Sequence, residues 1–287
     1  TGDTESMLEM AQKLELDRKA HHSLLNHCKE REIEFLSSPF DLQSLSFLVD
    51  DLGLSKIKIG SGEITNFPML LAAAQSDSEI ILSTGMSSVG EVEAALGVIA
   101  YGLINKDTPG EDSNIFAEAF SSLEGQDALL RSLSLLHCTT EYPSDFEDVN
   151  LRVMDTMREA FGLPVGLSDH TLGVAVPIAA VARGATIIEK HFTLDKNLDG
   201  PDHTASLDPS ELAIMVRSIR EVEVSLGKKI KYPTTAERKN LPIVRRSLTA
   251  ACKIALGERF TFKNLTTKRP GTGVSATHYW EYVGKIA

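Results

Sequence analysis

Short apolar runs recur along the first two thirds of the chain, each followed by a longer stretch with helical spacing. The runs at residues 33–37, 56–60, 80–83, 133–137, 165–168 and 185–190 predict six strands. Apolar positions at helical intervals predict helices over 42–52, 67–75, 89–101, 151–161 and 174–183. A helix over 5–30 is predicted before the first strand and one over 209–226 after the last. Strands alternating with helices predict a parallel sheet covered by helices. An open doubly wound sheet would carry GxGxxG or GxxxxGK[ST] after an early strand, and neither occurs. The alternative is a barrel of eight βα units, of which six strands with a helix in front represent units three to eight.

The pattern changes after Gly227. Residues 228–246 are basic, contain Pro233 and Pro242, and hold no sustained period, which predicts a linker. Residues 247–287 carry short alternating runs at 247–251 and 259–262 among turn residues, predicting a β-rich module too small for a robust core of its own. The predicted architecture is therefore a TIM-type (β/α) barrel missing its first two strands (1–227), a linker (228–246) and a small β-rich domain (247–287). The strand count places two further βα units upstream, an expectation in keeping with a chain that opens on Thr1-Gly2-Asp3 and not on Met.

A net charge of −11 argues against nucleic acid or an anionic membrane surface as partner, and any phosphate site must be local. No apolar stretch approaches the length that spans a bilayer, and no signal peptide opens the chain. Cys28, Cys138 and Cys252 are far apart and read as reduced, mostly buried thiols of a cytoplasmic protein.

In a barrel the loops after the strand ends build the active site. All six predicted strands end in polar residues: Ser37-Ser38, Gly60-Ser61-Gly62-Glu63, Ser83-Thr84-Gly85, His137-Cys138-Thr139-Thr140-Glu141-Tyr142, Ser168-Asp169-His170-Thr171 and Glu189-Lys190-His191. One or two such ends would be helix caps, whereas six form a ring of reactive groups. Within Lys56-Ile57-Lys58-Ile59, alternation puts both lysines on one face; Lys58 is expected to point into the barrel near its top, with Lys56 at the opposite end. Beside Lys58, the Gly60-Ser61-Gly62 and Ser83-Thr84-Gly85 turns offer hydroxyl and backbone donors for a phosphate.

His170 and His191 end neighbouring strands, close enough to share a metal with water and substrate oxygen in its other positions. Structural hydrogen bonding is the competing reading, since a lone histidine is more often structural. Asp199-Gly200-Pro201-Asp202-His203 follows the last strand and reads either as a turn or as an acidic group at the barrel mouth; Glu63 and Tyr142 are similarly placed.

Taken together, these segments resemble the sialic acid synthase family, which makes N-acetylneuraminic, legionaminic and pseudaminic acids. The matching strings include Phe35-Leu36-Ser37-Ser38-Pro39-Phe40-Asp41, Lys58-Ile59-Gly60-Ser61-Gly62-Glu63, Gly166-Leu167-Ser168-Asp169-His170-Thr171, Ile188-Glu189-Lys190-His191-Phe192, Gly200-Pro201-Asp202-His203 and Lys268-Arg269-Pro270-Gly271, in family order. The resemblance implies a barrel followed by an antifreeze-like (SAF) domain, in a domain-swapped homodimer. It implies condensation of phosphoenolpyruvate with an N-acetylated amino sugar to a nine-carbon 2-keto sugar acid and phosphate. A divalent ion, Mn2+ or else Mg2+ or Co2+, would be held by His170 and His191. Phosphoenolpyruvate would contact Lys58, Ser61, Ser83 and Ser168; Glu63, Tyr142 and Asp202 would serve the sugar and the chemistry, and Arg269 would reach the sugar from the partner subunit. Two alternatives stay open: a related synthase of a shorter 3-deoxy sugar acid, and a catalytically dead sugar-binding barrel.

Overall fold

The computed structural model describes residues 13–106, 108–110, 113–200 and 202–287. They divide into two compact units, parting between Leu226 and Gly227.

The first unit begins with α1 (Arg18–Glu30), where the Asp17 carboxylate accepts from Ala20 N and so caps the helix. Of the helix predicted over 5–30, residues 13–14 and Arg18–Glu30 are helical with a break at 15–17, and positions 5–12 lie outside the described residues. α2 (Leu42–Ser46) follows, capped by Asp41 and running on as a wider π turn over Phe47–Asp51. Then come β1 (Lys56–Ile59), α3 (Phe67–Gln75), β2 (Glu79–Ser83), α4 (Val89–Ile104), α5 (Ser113–Ser121), α6 (Leu123–Ser132), β3 (Leu133–Cys138), α7 (Val153–Phe161), β4 (Val165–Asp169), α8 (Ala175–Ala182), β5 (Ile188–Lys190) and α9 (Pro209–Leu226). All five strands are parallel, in the order β1-β2-β3-β4-β5.

Alternation sorts each strand between two faces. Ile57, Ile59, Ile80, Leu82, Leu133, Leu135, Val165 and Leu167 are nearly inaccessible and pack with α3, α4, α6, α7 and α8 in one continuous core. The other face carries Lys58, Ser83, Cys138, Ser168 and Glu189, and it is concave. Lys58 lies on β1 and Glu189 on β5, the two edges of the sheet, which four spacings of about 4.8 Å would hold roughly 19 Å apart in a flat sheet. Their side chains nevertheless meet, Lys58 Nζ lying 3.5 Å from Glu189 Oε2. Such a meeting requires the five strands to curl into a half-barrel.

Four sequence expectations change here. Residues 33–37 form no strand; Ser37 O accepts one bond from Lys58 N at 3.3 Å. Ile33 and Leu36 are exposed, so this segment lacks the burial that would hold a ladder. Helices α5 and α6 were not predicted: α6 starts at a Ser122 cap in a stretch whose apolar residues are sparse. The predicted linker contains a helix. The thiols are also not mostly buried: only Cys138 is, with Cys28 partly buried and Cys252 exposed.

That helix, α10 (Thr235–Val244), belongs to the second unit. Thr234 and Glu237 form a capping box, a start signal that the basic composition and Pro242 masked. An antiparallel pair, β6 (Ser247–Ala250) and β7 (Leu265–Lys268), follows. The run at 259–262 is not a strand; Arg259 instead forms an isolated bridge with Ile286.

Candidate active site

Polar groups gather where the strands end on the concave face, in three linked clusters. The first joins the sheet edges. Lys58 is buried, its Nζ 3.5 Å from Glu189 Oε2 and within 3.3 Å of the Ile59 carbonyl. Glu189 Oε1 accepts from Ser168 Oγ at 2.6 Å. Ser83, also buried, lies on the same face. The alternation reading of Lys58 thus holds. Glu189 was anticipated only as a neighbour of the histidines, yet it connects Lys58 with Ser168.

The second cluster surrounds the turn after β1. Ser61 Oγ lies 3.1 Å from Cys138 Sγ and accepts from Gly85 N at 3.1 Å. A Cβ at Gly85 would meet Thr140 Oγ1 at 2.5 Å and Ser61 Oγ at 2.8 Å. Glycine is therefore required for the β2 turn to close on Ser61.

The third cluster is aromatic and imidazole. β4 and β5 pair with Asp169 opposite Lys190, which sets His170 and His191 side by side, their ring centroids 5.3 Å apart. Tyr142 lies against both, at 4.3 Å from His170 and 5.5 Å from His191. Asp202 Oδ2 is 3.6 Å from His191 Nδ1. Burial, reinforced by the neighbouring His191, holds the His170 pKa below its ordinary value, although a bond to the Thr139 carbonyl opposes this. That carbonyl lies 2.8 Å from His170 Nδ1, so a neutral ring with Nδ1–H donating leaves the Nε2 lone pair free. Burial raises the Tyr142 pKa, with Cys138, Asp202 and Glu189 adding to it, so the phenol keeps its proton as a donor.

Glu63 accepts from Asn66 Nδ2 at 2.6 Å, within a local turn. Arg269 is exposed just after β7 in the second unit. His137, counted with the polar ring, turns to the helix side, its Nε2 2.5 Å from the Val149 carbonyl.

Two imidazoles at adjacent strand ends, beside a carboxylate, have the donor chemistry that a borderline divalent ion takes. Among the described residues, no group of three or more His, Cys, Asp or Glu side chains is arranged to hold a metal ion, so the protein offers the histidine pair alone. An ion here would keep positions for water or substrate, as catalytic sites do. Among the described residues, no helix is long and apolar enough to cross a membrane.

Comparison with known proteins adds the following. The NeuB family model matches residues 1–231. An N,N'-diacetyllegionaminic acid synthase of Campylobacter jejuni is 48% identical over 287 residues, covering 100% of this chain and 78% of that protein. One from Legionella pneumophila is 40% identical, covering 98% and 73% respectively. The crystal structure of an N-acetylneuraminic acid (sialic acid) synthetase from Leptospira borgpetersenii superposes with a TM-score of 0.67 at 32% identity, over 82% of this chain and 72% of that one.

Proposed function

Because the chain belongs to the NeuB family, we propose that it condenses phosphoenolpyruvate with an N-acetylated amino sugar, giving a nine-carbon 2-keto sugar acid and phosphate. The observation that carries this reading is the convergence of Lys58, Ser168 and Glu189 with His170, His191, Tyr142 and Asp202 along one concave rim. The anionic enol phosphate takes Lys58 as counter-ion and the Ser61, Ser83 and Ser168 hydroxyls as donors, which offset its charge through the reaction. His170 and His191 would hold a divalent ion, with Mn2+ the first choice. When bound, the ion supplies Lewis acidity toward the open-chain aldehyde of the sugar.

Tyr142, protonated, and Asp202 orient the sugar hydroxyls so that its C1 faces C3 of phosphoenolpyruvate. Forming the new carbon–carbon bond breaks the π bond of the aldehyde, whose oxygen takes up a proton to become a hydroxyl, and leaves positive character at C2, where water adds. Glu63 orients that water and takes its proton. The tetrahedral carbon then expels phosphate, its C–O bond breaking as the C2 hydroxyl gives up its proton and becomes the keto group. Arg269, in the second unit read as a SAF domain, reaches the sugar from the partner subunit of a domain-swapped homodimer.

The acceptor is further narrowed by chemistry. Phosphoenolpyruvate contributes three carbons and no nitrogen, so a synthase of an N,N'-diacetylated acid must find both acetamido groups on the sugar. The relatives at 48% and 40% identity carry that product in their names, which favours a diacetamido hexose. Phosphate release from phosphoenolpyruvate by full-length protein, measured with a panel of singly and doubly N-acetylated hexoses and shorter aldoses plus Mn2+, tests both levels. Release with doubly acetylated acceptors is expected. Release only with shorter aldoses would leave a 3-deoxy acid synthase, and no release with any acceptor a sugar-binding barrel.

A further inference from the structure

Beneath the two histidines lies an ion pair that the proposed chemistry does not use. Asp169 Oδ2 and Lys190 Nζ are 2.5 Å apart, with side chains 1% and 3% exposed. The two residues are direct partners across β4 and β5, and each immediately precedes one of the histidines. By alternation they face the helix side, between the inward pair Ser168–Glu189 and the inward pair His170–His191. Asp169 Oδ1 also accepts from Thr171 N at 3.1 Å and from Thr171 Oγ1 at 2.9 Å. Lys190 donates to the Thr171 carbonyl as well. Thr171 is wholly buried. The backbone on both sides of His170 is thus tied to the residue that carries His191.

Stability is a poor reason for such a pair. Desolvating two charges costs several kcal/mol, and apolar replacements of similar volume are often neutral or stabilising. What the pair supplies instead is direction: a short bond between fixed partners sets the spacing and tilt of the two strand ends. We propose that Asp169 and Lys190 are positioning residues that hold His170 and His191 in register for a shared divalent ion. The inference rests on the reading of those histidines as ligands.

The test uses full-length protein, stripped of metal and titrated with Mn2+ alone by calorimetry, alongside thermal melts of the metal-free form. Asp169→Asn with Lys190→Met removes both charges while keeping volume and an acceptor for Thr171. The metal-free double variant is expected to melt within a few degrees of the native protein yet bind Mn2+ roughly 10- to 100-fold more weakly, the range for groups that orient metal ligands. Native affinity in the folded double variant overturns the inference, whatever happens to its melting temperature. Absence of Mn2+ binding by the unsubstituted protein overturns the ligand reading itself, and this inference with it. Should the double variant lose its near-ultraviolet dichroism, Lys190→Gln decides: a severalfold weaker affinity supports the positioning role, and native affinity refutes it.

Discussion

Lys56 and Lys58 are two residues apart on one face of β1, yet they occupy different chemical worlds. Lys58 is buried at the rim, facing Glu189 on the far edge of the sheet. Lys56 sits at the floor, 29% exposed, between Glu34 and Glu79 whose side chains are 60% and 63% exposed. The floor also holds the larger cavity, about 480 Å3, ringed by Glu34, Lys56, Glu79, Arg131 and aliphatic residues. The cleft lined by Tyr142, His170, His191 and Asp202 is far smaller. Size and chemistry therefore point to opposite ends. The rim is the better candidate because only there do a buried lysine, neutral imidazole and protonated phenol converge.

The largest effect is expected at the rim. Replacing His170 and His191 together with Ala in full-length protein should remove divalent-ion stimulation of phosphate release while circular dichroism stays native, because both proposed ligand nitrogens are lost. Turnover that still responds to Mn2+ in the double variant would move the metal elsewhere. Next, Lys58→Ala should weaken phosphoenolpyruvate binding by about 1.5–3 kcal/mol, as for a hydrogen bond to a charged group. That is roughly 10- to 150-fold in affinity by titration. An equal loss from Lys56→Ala would erase the distinction between rim and floor.

Much of this contrast was legible in the sequence. Period-2 alternation in Lys56-Ile57-Lys58-Ile59 placed the lysines correctly, because the apolar partners were unambiguous. Adjacent His170 and His191 followed from strand order alone. Less legible was the role of Glu189, which depends on how far the sheet curls, a property no local pattern encodes. His137 misled for a related reason: its position at a strand end suggested the rim, but parity sends it to the helix side. The helix over Thr235–Val244 was hidden because charge and Pro242 outweighed a four-residue capping box in the reading.

His137 also offers a test of faces through pH. Its pKa is lowered from the ordinary 6.5, chiefly by burial, with the Val149 carbonyl opposing. The folded state thus keeps the ring neutral where the unfolded chain already binds a proton. The resulting stability is complete above about pH 6.5 and is lost as pH falls through the depressed folded pKa. Calorimetric melts of the native protein should decline as pH falls below about 6.5. His137→Gln, which keeps a donor for Val149, should flatten part of that decline. An identical slope in the variant would show that His137 is not the buried structural group described above.

The smallest effect belongs to Lys56. Its pKa is raised above 10.5, first by the hydrogen bond to Glu34, against a partial cost of burial and with Coulombic help from Glu34 and Glu79. A raised pKa in a cation means stability that is present below about 10.5 and lost only as pH rises through the folded value, so neutral pH sees all of it. All of it is still little, because both carboxylates lie in water that screens them. Exposed pairs contribute about 0–1 kcal/mol, and Lys56→Ala should cost no more than that in denaturant titration. Phosphoenolpyruvate affinity should stay unchanged, since the ammonium serves two side chains at the floor and has no group at the rim to answer to. A loss beyond about 2 kcal/mol would mean that the floor cavity closes around Lys56 in the working protein, burying its pairs to a depth that the exposed carboxylates here do not suggest.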